Sequence, residues 1–334
     1  MVAKPRRCRK RLPKPGFRIP AAYTGPVPEP LPPLLLSFDV EDWHQLVHRA
    51  HGLEDWERPG PAFERQMEAI LELLAELRLS ATFFVLGATA AAYPDVIREL
   101  AARAFEVASH GHAHERIYRQ TPDEFRRDVE TSAETIESLT GRPPRGYRAP
   151  AFSVNRDTPW AFEVLAELGF RYDSSQYDSP RVPRRITGVP SVPYELQLPS
   201  GRSLWEFPIT VWKLGGRALP LGGAGYWRFL PLAAVSRMLE RASLAGAYPV
   251  LYFHPYELDP WPLRPDVLPP AASRRGVAAR LRTLQRNMER RRAAAVLRRL
   301  AGEVTALSHE EAYAAVTEQH GTRSRALSPE GVLV

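Results

Sequence analysis

From residue 34 onward, short apolar runs of strand length alternate with longer stretches whose apolar residues recur at helical spacing. This alternation constrains the fold more than any other feature of the sequence. The runs are Leu34–Val40, Ala81–Leu86, Phe105–Ser109, a piece beginning at Tyr147, Phe170–Tyr172, Trp205–Ile209 and Pro249–Phe253. Between them, Pro61 opens a stretch with Met67, Ile70, Leu71, Leu74 and Leu77 on one face, and Pro94 opens another. Thr121-Pro122-Asp123-Glu124 is a capping box, and its helix runs through Phe125, Val129, Ile136 and Leu139 to Gly141. Thr158-Pro159 and Pro231 start two further helices. Strands that alternate with helices form a parallel sheet covered by helices. Seven such strands over residues 34–260 predict an α/β fold, an irregular (β/α) barrel. No internal repeat and no G-x-G-x-x-G phosphate loop interrupts the pattern.

The sequence divides into three parts: a basic, proline-rich tail over 1–33, the barrel over 34–262, and an Arg-rich helical extension over 263–334. Charge follows this division. Residues 1–18 hold eight bases and no acid (+8), and residues 274–299 hold ten arginines and one acid, Glu289 (+9). Subtracting both from the total of +7 leaves the remainder at −10. The positive charge therefore lies outside the barrel. The basic segments also lack the interleaved aromatics of a stacking surface, which argues against a nucleic-acid partner. No run approaches the roughly 18 apolar residues of a membrane span, and no apolar run follows the basic start as a secretory signal requires. A cytoplasmic protein, peripheral to the membrane, is the expectation. The single cysteine, Cys8, excludes a disulfide framework.

In a parallel barrel the chemistry sits at the C-terminal ends of the strands. Asp39, Glu41 and Asp42 stand at the end of the first run, His110 and His114 after the third, Arg148 after Tyr147, and His254 after Phe253. His110 and His114 are four apart, so one helical turn would turn both imidazoles the same way. His44 and His48 repeat that spacing beside Trp43, with His51 nearby, and read as a lining of the mouth. Alternation along the strand gives Asp39 and Glu41 a shared face and turns Asp42 away, toward a helix N-terminus. A buried arginine at 148 requires a carboxylate partner. Two histidines and a carboxylate form a zinc-type set with an open position, and a second carboxylate nearby could take a proton from water.

Four segments then carry a resemblance. They are Ser37-Phe38-Asp39-Val40-Glu41-Asp42-Trp43, Ser109-His110-Gly111-His112-Ala113-His114-Glu115, Arg145-Gly146-Tyr147-Arg148-Ala149-Pro150 and Leu251-Tyr252-Phe253-His254-Pro255. In this order they resemble the motifs of the polysaccharide deacetylase family, the NodB homology domain of carbohydrate esterase family 4. The resemblance covers roughly residues 34–260. It is nearest to the branch that accompanies exosortase and PEP-CTERM exopolysaccharide loci, which also carries an Arg-rich tail. It implies a divalent metal, zinc by preference, and removal of N-acetyl groups from the amino sugars of a polysaccharide or its precursor. Asp39 resembles the catalytic base, Arg148 the arginine that orients it, His254 the general acid, and His110 and His114 the metal ligands. The family's first motif usually has two adjacent aspartates, the second on the metal. Here Val40 takes that place, and either Glu41, as alternation indicates, or Asp42 supplies the ligand. In the third motif Ala151 stands where an aromatic is usual, although a backbone N–H of that loop could still serve an oxyanion.

Two other readings compete: an amide hydrolase of the same barrel acting on a small molecule, and an inactive sugar-binding relative. The basic extension has two readings of its own. Val277, Leu281, Leu284 and Met288 fall at helical spacing, with Leu297 and Leu300 continuing, and predict a basic helix over 277–300. Its apolar stripe either packs on the barrel or meets an anionic membrane surface.

Overall fold

In the computed structural model, the described residues are 33–334 apart from 51–55, 58–59, 177–181, 215–216, 224, 226–228, 245–247, 265–273, 319–323, 329–331 and 334. The expected basic tail over 1–32, with Cys8, and His51 lie outside them. Strand β1 (Leu34–Val40) is buried along its whole length, as a strand covered on both faces must be. Parallel pairing then runs without a break through β10 (Val250–Phe253), β1, β2 (Thr82–Val85), β3 (Glu106–Ser109), β4 (Gly146–Tyr147), β5 (Tyr172–Asp173) and β7 (Ser203–Glu206). These seven strands are the core of the barrel. Hydrogen bonds through the chain after β7 bridge the seam between β7 and β10. Leu221 N–H donates to Thr210 O (2.9 Å), Tyr252 N–H to Gly222 O (2.7 Å), and Val250 N–H to the Thr210 hydroxyl (2.6 Å).

The helices come from the predicted periodicities. In α2 (Phe63–Leu77), Met67, Ile70, Leu71 and Leu74 pack on Phe38 and Phe83 of the sheet. In α5 (Pro122–Thr140), the capping box closes on Thr121 and Glu124, and Gly141 ends the helix at φ 77°. A shorter helix, α1 (Trp43–Ala50), follows β1 directly.

Three features depart from expectation. Strand β6 (Tyr194–Gln197) runs antiparallel to β7 and carries β12 (Ser324–Ala326) on its far edge, which extends the sheet beyond the barrel. The basic helix is two helices, α9 (Arg274–Asn287) and α10 (Arg291–Ala301), because Glu289 adopts a left-handed backbone (φ 54°) between them. The boundary at residue 262 does not detach the C-terminal segment. Strand β11 (Ala306–Leu307) pairs with the start of β1, and the following helix α11 (His309–Glu318) sets the His309 ring inside the barrel against Phe84, Tyr172 and Phe207.

Candidate metal and proton-transfer site

Strand β1 ends at Val40, and the chain turns there, with the Glu41 N–H donating to Asp39 O (3.0 Å), so that both carboxylates reach the mouth of the barrel. Asp39 and Glu41 fall on one side. The Arg148 guanidinium reaches Asp39, with Nη1 donating to Asp39 Oδ1 at 2.7 Å. Arg148 is wholly buried, so each of its donors must find an acceptor. Nη1 also donates to Ser37 Oγ (2.9 Å), Nη2 to Ser174 Oγ (3.0 Å) and Nε to Ser174 O (3.1 Å), and the guanidinium lies 4.0 Å from the Phe84 ring centre. This holds Asp39 in one orientation.

Glu41 faces the histidines. His110 Nε2 lies 3.1 Å and His114 Nε2 2.8 Å from Glu41 Oε1, and the three side chains offer ligand atoms all within 4.8 Å of one another. His110 Nδ1 donates to Arg148 O (2.8 Å), which fixes the tautomer and leaves Nε2 free to ligate. Burial alone would raise the Glu41 carboxyl. The opposed charges of His114 and His254, with hydrogen bonds from His110 and His114, outweigh it and hold the carboxyl well below the usual range. One carboxylate and two imidazoles, converging and largely shielded from water, fit a divalent cation of the zinc type.

The two histidines do not meet on a helical turn. They converge through a loop in which Gly111 (φ 77°) and His114 (φ 55°) both take left-handed conformations. Asp128 of α5 gathers this loop, accepting from His112 N–H (2.8 Å) and Ala113 N–H (3.1 Å). A Cβ at position 111 would stand 2.7 Å from Asp128 Oδ2, so glycine is required by space as well as by φ. The sequence reading missed Asp128, whose place beside Phe125 and Val129 on the apolar face of α5 was the available signal.

Asp42 turns away. It accepts from His44 N–H (2.8 Å), Gly60 N–H (2.8 Å) and the Tyr93 hydroxyl (2.6 Å), and so holds the start of α1 and the chain before α2. Glu41→Gln is therefore expected to cost metal affinity tenfold or more, and Asp42→Asn little at constant fold. Isothermal titration with zinc compares them, and a larger loss in Asp42→Asn would reverse the assignment. His44 and His48 stack on each other, ring centres 3.9 Å apart, outside the convergent set.

His254 closes the site from β10. It precedes a short helix, α8 (Pro255–Leu258), whose Glu257 accepts from the His254 N–H (3.0 Å) and from Nδ1 (3.2 Å). Nε2 is thereby aimed into the site, 3.8 Å from Glu41 Oε2. Tyr256 stacks on the ring at 5.0 Å. Burial pulls His254 down, but Glu41, Glu257 and Asp39 together raise it above an ordinary histidine. Glu257, three residues on, carried a capping-box spacing in the sequence that points to this role.

The Tyr172–Ser175 and Trp205–Pro208 segments support Arg148 from below. Ser174 supplies two of its acceptors. Burial and the adjacent Asp173 push the Glu206 carboxyl well up, and burial raises Asp173 as well. In the third motif, the Phe152 N–H donates to Ala149 O (2.9 Å), which removes it from the oxyanion donors.

Residues 59–172 match the polysaccharide deacetylase family model, and residues 174–312 match a domain of unknown function (DUF3473). A chitooligosaccharide deacetylase of Bradyrhizobium sp. (strain ANU 289) is 32% identical over 123 residues, 36% of this chain and 56% of that protein. A peptidoglycan deacetylase of Helicobacter pylori is 31% identical over 106 residues, 32% of this chain and 35% of that protein. The chain thus spans about half or less of the length of these curated relatives. Among solved structures, a putative polysaccharide deacetylase from Mycobacterium smegmatis superposes with a TM-score of 0.60 at 24% identity, covering 89% of this chain and 94% of that one. The PuuE allantoinase superposes at 0.55 with 17% identity, covering 92% and 99%. Both share the fold of the barrel. Asp39 and Glu41 precede the matched deacetylase segment and His254 follows it, but His110, His114 and Arg148 lie inside it. Residues 59–172 of the chain thus match the polysaccharide deacetylase family, and the curated relatives that align are deacetylases.

Proposed function

We propose that this chain is a metal-dependent hydrolase that removes N-acetyl groups from the amino sugars of a polysaccharide or its lipid-linked precursor. One observation carries the reading: a paired base, Asp39, and a histidine with a raised pKa, His254, flank the convergent Glu41, His110 and His114. The names of the relatives, deacetylases of chitooligosaccharide and peptidoglycan, supply the substrate class.

Glu41, His110 and His114 would hold the metal. When bound, it would polarise the acetyl carbonyl and make water more acidic. The chain's own residues do the proton transfers. Asp39, oriented by the Arg148 guanidinium, takes a proton from the attacking water as the new C–O bond forms at the carbonyl carbon. His254 enters protonated, with Nδ1 tied to Glu257. It delivers its Nε2 proton to the sugar nitrogen as the C–N bond breaks, and acetate and a free amine leave. A cavity of about 380 Å³ bordered by Asp42, Trp43, His44 and Trp261 is lined by none of Asp39, Glu41, His110, His114 and His254.

We assign the substrate to exopolysaccharide synthesis, on the resemblance of the motifs and of the Arg-rich segment after His254-Pro255-Tyr256-Glu257. The test is mass spectrometry of N-acetylated amino-sugar oligomers incubated with zinc-loaded protein. Loss of acetyl groups is expected. Intact oligomers together with hydrolysis of a small cyclic amide would move the activity to the other reading of the barrel.

A further inference from the structure

Helices α9 and α10 both carry an apolar stripe, and they dispose of it in opposite ways. On α10, Ala293, Val296, Leu297 and Leu300 are buried against the barrel, as an amphipathic helix on a core requires. On α9, Val277, Leu281 and Leu284, with Met288 just beyond its end, are 49–61% exposed. At its C-terminal end α9 is held to the rim of the site. The Arg286 guanidinium lies 4.2 Å from the Trp43 ring centre and 5.2 Å from that of Tyr256, and it also bonds the Tyr256 hydroxyl. The Asn287 amide pairs with the backbone of Leu263, accepting at 2.7 Å and donating at 3.1 Å. Tyr256 in turn stacks on His254. Helix α9 is thus pinned by polar and cation–π contacts to the aromatic rim of the site, with its hydrophobic stripe turned to solvent.

We propose that this stripe docks on an anionic lipid surface, with α9 lying in the plane of the membrane interface and holding the mouth of the barrel beside the lipid. Two features select this occupant. Helix α9 carries five arginines and no acid, which complement an anionic surface. The same charge opposes a second copy of the chain, which would bring five arginines against five. The stripe spans three turns, too short to cross a bilayer and of a length that lies in its interface; no helix among the described residues is long and apolar enough to span. The proposal is independent of the reaction catalysed.

The experiment is vesicle flotation of the full chain at low salt, comparing phosphatidylcholine alone with phosphatidylcholine containing phosphatidylglycerol. Wild type is expected to float with the mixed vesicles only. The double variant Leu281→Ser/Leu284→Ser keeps every charge and changes two exposed positions. Its partition is expected to fall by about tenfold per leucine, with an unchanged circular-dichroism melt. Equal flotation of wild type and variant would overturn the proposal, because charge alone, including that of residues 1–18, would then account for binding. Equal flotation with neutral vesicles, or none with either, would overturn it too. So would a wild-type dimer in light scattering that the variant converts to monomer, since the stripe would then belong to a second copy.

Discussion

His110→Ala is expected to abolish metal binding, and with it all deacetylation. The ring is almost wholly buried, its Nδ1 is spent on Arg148 O, and its Nε2 is one of three converging ligand atoms. Two remaining ligands in an exchangeable arrangement hold zinc weakly, so a loss of at least 10²-fold in affinity follows. The substitution also leaves the buried Arg148 carbonyl without this partner, a stability cost of about 1–3 kcal/mol. Elemental analysis after dialysis reads occupancy, and a thermal melt of the same sample separates lost metal from lost fold. Wild-type occupancy in a folded His110→Ala protein would place the metal elsewhere, with His44 and His48 the next pair to replace.

Removing the base or the acid is expected to lower turnover by about 10²–10⁴-fold while the metal stays bound. The two variants should differ in what else they lose. Asp39→Asn takes the carboxylate from a fully buried arginine, and an uncompensated buried charge costs about 3–5 kcal/mol. His254→Ala removes a partly exposed ring and is expected to melt close to wild type. The pH profiles separate the roles. His254 works protonated, and the surrounding carboxylates raise its pKa, so activity persists above the ordinary histidine range and falls as pH climbs through the raised value. In His254→Ala the residual activity should lack that alkaline limb. A limb that survives unchanged would show that His254 is not the acid.

The parts of this site that sequence revealed are those set by strand period. β1 is regular to Val40, and the face that alternation assigns to Asp39 and Glu41 is kept through the turn that follows it, while Asp42 goes to the start of α1. Arg148 and His254 were legible because each directly follows an apolar run. The approach of His110 to His114 was legible as a spacing but not as a geometry. It depends on two left-handed residues and on Asp128 from another element, and no local pattern encodes a partner fifteen or sixteen positions away. The C-terminal segment was misread for a related reason. β11 has two residues and carries no period, and the break at Glu289 falls inside a helical pattern that continues on both sides. The burial of His309 follows from the barrel that receives it rather than from its own neighbours in sequence.

The pairing of β1 with β11 has a consequence for biogenesis. Leu34 is hydrogen-bonded in register with Ala306, 272 positions later. β2 can cover one edge of β1 early in synthesis, whereas the other edge waits for β10 and β11, made much later. Until then the nascent chain presents a largely apolar strand with one edge unpaired, the kind of surface that recruits other chains. Pairings of this separation also slow the search for the native topology. A ribosome stalled before residue 306 would therefore hold a chain whose first strand is still incomplete.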